Sequence, residues 1–152
     1  MTGPLTDEVL RRSLANVLEE AAFVFTEPTD GPSPAAQEAL IARLAFRGDH
    51  VGELWLVVPE ELGWTLAANM LGIEDRSEAR AASVDATGEL LNILGGVLVE
   101  ACWGQGVRCD FGTPTVARGD WPESELLALR RVTLIAEDEQ RVDLAVHCKE
   151  EA

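Results

Sequence analysis

Glu89, Asn92 and Gly96 put an acid, a carboxamide and a bare backbone position at helical spacing within residues 85–103 (DATGELLNILGGVLVEACW). At about 100° per residue, Asp85, Glu89, Asn92, Gly96 and Glu100 fall on one face of that helix. Leu90, Leu91, Leu94, Val97, Leu98 and Ala101 fall on the opposite face, which should turn to the core. Residues three and four apart are neighbours on a helix surface, so Glu89 and Asn92 project together and Gly96 lies one turn on. A carboxylate pairs with cations, a carboxamide both donates and accepts hydrogen bonds, and a glycine lets another backbone approach closely. Asn and Gly inside a helix each cost roughly 0.5–1 kcal/mol relative to Ala. A surface chosen for stability alone would not carry them; on spacing alone the face reads either as one on which a partner docks or as a solvated face whose Asn and Gly are incidental, since ExxN occurs in many helices. Asp85 and Glu100 extend it as an acidic stripe, for which solvation is the plainer reading. Gly88 and Gly95 lie on a flank, where close packing against a neighbouring element is expected.

The elements that must position this helix follow from periodicity and punctuation. Residues 6–25 read as a helix with Thr6 as N-cap and apolar residues from Val9 to Ala22 at helical spacing. Residues 27–34 (EPTDGPSP) read as a loop. Residues 39–46 and 52–58 alternate as strands joined by a hairpin turn at 47–51. Glu60–Leu71 reads as a helix closed by Gly72, and 73–81 as a charged connector or the opening of the next helix. Residues 107–116 read as extended, with Gly112 and Pro114 marking a bend, and 117–125 as a loop. Residues 132–136 and 142–147 form a second hairpin across 137–141. The expected architecture is α+β: an antiparallel sheet built from hairpins and packed with three main helices. One domain over 1–152 is expected, with its core from about 6 to 148.

Bulk composition narrows the partners. A formal net charge of −15 makes nucleic acid and anionic membrane surfaces poor ones. No run of 18 apolar residues and no apolar core in residues 1–12 point to a membrane span or a signal peptide. Cys102, Cys109 and Cys148 are odd in number without CxxC spacing, which fits reduced thiols in the cytoplasm and leaves a disulfide between two of them open. No His, Cys and carboxylate grouping has zinc spacing, and no phosphate-binding loop or nucleophile elbow appears. Of the four tryptophans, Trp121 is expected to be the most exposed.

The chain also carries a faint internal similarity, which reads either as a repeat or as the coincidence of leucines at helical spacing. Residues 13–20 (SLANVLEE) align with 89–96 (ELLNILGG), and each segment precedes extended hairpin segments. The first copy keeps an amide at Asn16 but has Ser13 for the acid and Glu20 for the glycine.

ELLNILGG fits the ExxNxxxG signature of the CheC/CheX/FliY family of chemotaxis phosphatases, which this chain resembles. Residues 46–54 (FRGDHVGEL) are similar to that family's F-x-G-x-x-x-G hairpin, 66–72 to the helix after it, and 111–116 to the strand after the signature helix. The ordered set covers about residues 9–147. The resemblance implies an α+β fold with two pseudo-symmetric halves, and hydrolysis of the aspartyl phosphate on a CheY-like response regulator. It makes Glu89 and Asn92 catalytic, Asn92 holding the attacking water and Glu89 pairing with a lysine of the regulator. Gly96, Asp85 and Glu100 would serve docking. The single complete signature is CheX-like, which implies one site per protomer, a homodimer, and no cofactor of its own. Mg²⁺ would belong to the regulator. Two other readings share the fold: a non-catalytic module that binds a response regulator, and a structural subunit resembling those of the flagellar switch.

Overall fold

The structure, a computed structural model, describes residues 5–29 and 34–149. Among the described residues, seven antiparallel strands make one sheet, and three long helices cover one of its faces.

Helix α1 (Asp7–Ala22) starts as the sequence implies, with the Thr6 hydroxyl accepting from the Val9 amide at 3.2 Å. It ends before the expected Phe25. Phe23 turns left-handed (φ 55°), and the amides of Phe23 and Val24 return to the Glu19 and Leu18 carbonyls. The expected loop at 27–34 instead opens with edge strand β1 (Thr26–Pro28); residues 30–33 lie outside the described residues. Proline is tolerated there because an outer edge needs no amide donor.

Strands β2 (Ala39–Gly48) and β3 (Val51–Pro59) form the first hairpin. Helix α2 (Glu60–Leu71) follows and closes at Gly72 (φ 66°). The charged stretch 73–81 is mostly helix: Asp75 caps α3 (Arg76–Trp103), accepting from the Ser77 amide at 2.7 Å and the Glu78 amide at 3.3 Å.

Residues 107–116 break as expected. β4 (Cys109–Phe111) and β5 (Thr115–Gly119) both lie along β2, and the Gly112 amide donates to Ala45 between them. The expected loop at 117–125 is corrected. Its first residues complete β5, opposite Ala39–Ile41, and Glu123–Leu127 forms a short helix, α4. Strand partners distant in sequence impose that extension, which no local pattern shows. β6 (Arg130–Ala136) and β7 (Gln140–Lys149) form the second hairpin.

The strand order is β1-β6-β7-β3-β2-β4, with β5 also on β2. The two hairpins meet at β3 and β7 in the centre. Each half of the chain sends the strand after its first helix to the edge of the other half's hairpin. That exchange gives the faint repeat its structural counterpart.

The helix-covered face is apolar: Leu40, Leu44, Leu56, Val142 and Leu144 are fully buried against Leu10, Leu14, Leu18, Leu66, Leu90, Leu91 and Leu94. On the other face, α4 sets Leu126 over Ala39, Val57 and Ala145. Beside it lies a polar knot around Asp143, which is fully buried. Its carboxylate accepts from Thr133 Oγ1 (2.6 Å), Arg141 Nε (3.1 Å) and Trp121 Nε1 (3.0 Å). Trp121 is therefore half-buried, as are Trp55, Trp64 and Trp103.

The β2–β3 hairpin grips the end of α3. Gly48 (φ 138°) meets the Arg108 carbonyl where a Cβ would stand. Asp49 donates its amide to the Arg108 carbonyl and accepts the Arg108 amide, both at 2.8 Å. His50 stacks on Trp103 with ring centroids 3.7 Å apart, and Phe46 packs on Trp103 from a second side. At Gly52 a side chain would collide with the backbone of His147 and Cys148. The F-x-G-x-x-x-G pattern is thus a clamp that fixes where α3 ends.

Candidate functional site

The 28 residues of α3 make a helix about 42 Å long at 1.5 Å per residue. By length and mean hydropathy (1.3 over its most apolar 18 residues) it would suit a membrane span, but half of that window is buried inside the fold. Leu90, Leu91, Leu94 and Leu98 point into the core. Ser83 and Thr87 are buried too, their hydroxyls bonded back to the Arg80 and Ser83 carbonyls.

All five sequence-designated residues, Asp85, Glu89, Asn92, Gly96 and Glu100, are exposed along one face of α3. Among the described residues, the side chains of Asp85, Glu89 and Asn92 have no hydrogen-bond or ion-pair partner, while Glu100 accepts from Gln105 at 3.1 Å. An acid and an amide are therefore held side by side on a rigid helix with their polar atoms turned to solvent. Gly88 and Gly95 behave as expected. Gly88 lies under Pro114 and Val116, and Gly95 under Phe111 and Leu44. The strands β4 and β5 thus pack on the flank beside Asn92. Between them and α3 runs an open groove of about 280 Å³ lined by Val84, Asp85, Gly88, Glu89, Asn92, Pro114 and Val116. Its outer wall is anchored where Arg118 on β5 pairs with buried Glu60 at 3.0 Å and reaches Ser83.

One part of the helical assignment is corrected. Val97 and Ala101, expected to face the core, are exposed, and Ile93 joins them. An amphipathic count treats glycine as neutral, whereas here the glycines mark the flank that strands cover. The helix is therefore rolled, and its exposed arc reaches Ile93 and Val97. The Gly88/Gly95 pair, seven residues apart, was the available signal.

The two glycines of the site separate packing from access. A Cβ at Gly95 would sit 2.9 Å from Phe111 and 3.0 Å from Leu44, whereas nothing lies within 4 Å of one at Gly96. Gly96→Ala should raise stability by about 0.5–1 kcal/mol through helix propensity. Gly95→Ala should lower it by about 1–3 kcal/mol through overpacking. Denaturant unfolding of the two variants checks the opposite signs.

Elsewhere the chemistry is muted. A cavity of about 590 Å³ is lined by Glu60, Trp64, Arg80 and Arg141 at the start of α2, and its buried acid is already paired with Arg118. Among the described residues no group of three or more His, Cys, Asp or Glu could hold a metal ion. None of the three cysteines is in a disulfide. Burial, and secondarily the nearby Cys148, pushes the Cys102 thiol up to about 11. At pH 8 roughly one Cys102 in a thousand would be thiolate, the reactive form. A thiol reagent applied to the native protein at that pH should leave Cys102 unmodified until denaturant is added, as peptide mass spectrometry would show.

The sequence model of a family described as chemotaxis phosphatase CheX matches residues 40–135. The chain is similar in fold to a chemotaxis protein CheX from Vibrio vulnificus (TM-score 0.68, 19% identity, covering 93% of this chain and 95% of that one). It is also similar to the CheX chain of a CheX–CheY–BeF₃–Mg²⁺ complex from Borrelia burgdorferi (0.67, 17%, 94% and 97%). A weaker likeness joins it to the FliM middle domain of Vibrio alginolyticus (0.52, 12%, 92% and 91%). No curated protein matches it in sequence.

Proposed function

Because this chain belongs to the CheX family, we propose that it hydrolyses the aspartyl phosphate of a CheY-like response regulator. The observation that carries this reading is the pair of unpartnered, exposed side chains, Glu89 and Asn92, on a helix face with open space at Gly96.

An acyl phosphate is already reactive, so the helper protein needs no nucleophile of its own and works by positioning. Water oxygen forms the new bond to phosphorus, the acyl P–O bond breaks, and the aspartate leaves as carboxylate with inorganic phosphate as product. The Asn92 carboxamide holds that water in line by donating and accepting hydrogen bonds. A neutral group suits the place, since an anion would repel the phosphoryl oxygens. Glu89 pairs with a cationic side chain of the regulator and sets its register, while Asp85 and Glu100 extend the acidic surface around it. Mg²⁺ in this scheme is held by the regulator. The α1 helix offers no second site, because Ser13 stands at the acid position and is buried. The proposal extends to a cytoplasmic homodimer with one site per protomer.

Phosphate release from a phosphorylated regulator, timed with and without this protein, tests the reading. Acceleration of tenfold or more is expected. Binding without acceleration would assign the chain to the non-catalytic, regulator-binding role.

A further inference from the structure

Ile93, Val97 and Ala101 follow one another at four-residue steps along α3, parallel to the row Glu89–Asn92–Gly96–Glu100. They lie on the flank away from β4 and β5, and Ile93 and Val97 remain 39% and 38% exposed. Isolated exposed apolar residues are ordinary. A row of three beside an unpartnered acid and amide is a different feature. The chain supplies its own control. In the aligned frame of α1, the positions of Ile93 and Val97 are Val17, which is 4% exposed, and Ala21, which is half-buried and packs on the core. The same helical frame thus covers these positions in one half of the fold and uncovers them in the other.

Building on the phosphatase reading, we propose that this row selects the regulator: it seats an apolar patch next to the regulator's phosphorylated aspartate, while Asp85 and Glu100 meet basic groups at the patch's border. Burial of the row supplies affinity without direction, and the acidic stripe supplies orientation. The stripe also argues against a second copy of this chain as occupant. Self-pairing through this face would oppose two acidic stripes in chains of net charge −15.

The test compares wild type with the double variant Ile93→Ser/Val97→Ser. The probes are purified receiver domains from the encoding organism, activated with beryllofluoride and Mg²⁺ for binding and phosphorylated for turnover. Both side chains are partly exposed, and circular dichroism checks that the variant folds. The expected result is at least tenfold weaker binding and a similar rise in KM, with kcat within about twofold; Ile93→Val/Val97→Ile should bind as wild type does. Affinity within twofold of wild type in the serine variant overturns the proposal. Self-association of the wild type that the variant loses also overturns it, assigning the row to a second copy. Wild-type binding without hydrolysis sinks the phosphatase reading and leaves the row to be judged by the affinities alone. Failure of the wild type to bind any receiver domain sinks both.

Discussion

Asn92→Ala should return the regulator's dephosphorylation to its unassisted rate, a loss of about 100-fold for a step that depends on placing one water. The fold should not notice. Asn92 is exposed on α3 and its side chain makes no hydrogen bond among the described residues, so truncation leaves no buried group unsatisfied. Alanine is the better helix former, and stability should rise by about 0.5 kcal/mol. Opposite movement of activity and stability is a pattern that general damage does not produce. Binding of the activated regulator should change much less than turnover, since pairing by Glu89 and contact by the apolar row are retained. Wild-type turnover in this variant would sink the assignment of the water-holding role.

Asp143→Ala should have the largest effect on stability. Its carboxylate is fully buried and satisfied by Thr133, Arg141 and Trp121, while Arg141 is itself only 8% exposed. Removing the acid takes from the buried Arg141 guanidinium its two bonds to Asp143, at 3.1 and 2.7 Å. Breaking one partner of a buried pair costs about 3–5 kcal/mol. For a chain of this size that is a fall in Tm of about 10 °C. The knot lies on the sheet face opposite the long helices, so kcat per folded molecule should be unchanged. A loss below about 1 kcal/mol by denaturant unfolding would show that the network is not holding the sheet.

These two residues also mark what the sequence could and could not disclose. Asn92 was legible because an amide and two glycines break the economy of an otherwise well-formed helix, and the break has a fixed spacing. Both hairpins and the long helices were legible for the same local reason. Asp143 was silent: it sits in an alternating strand like any solvent-facing residue. Only the pairing of β6 with β7 and the return of Trp121 from 22 residues away bury it. The exposure of Val97 is not legible in the sequence because the flank that covers α3 comes from strands whose positions are set by β2, not by anything within the helix. The end of β5 and helix α4 were missed because their partners, Ala39–Ile41 and the outer sheet face, are remote in sequence.

The exchange of edge strands reaches beyond shape. β1 completes the hairpin of the second half, and β4 and β5 complete the hairpin of the first. Neither half can therefore close its own sheet, and cutting the chain at 73–74 would leave two fragments with open strand edges prone to aggregation. Folding becomes an all-or-none event that waits on contacts between distant parts of the chain, the kind that slow a folding rate. Two halves joined this way have no independence of each other. The first half, whose helix carries Ser13 and Glu20 at the places of the acid and the glycine, is still needed for the other half to stand.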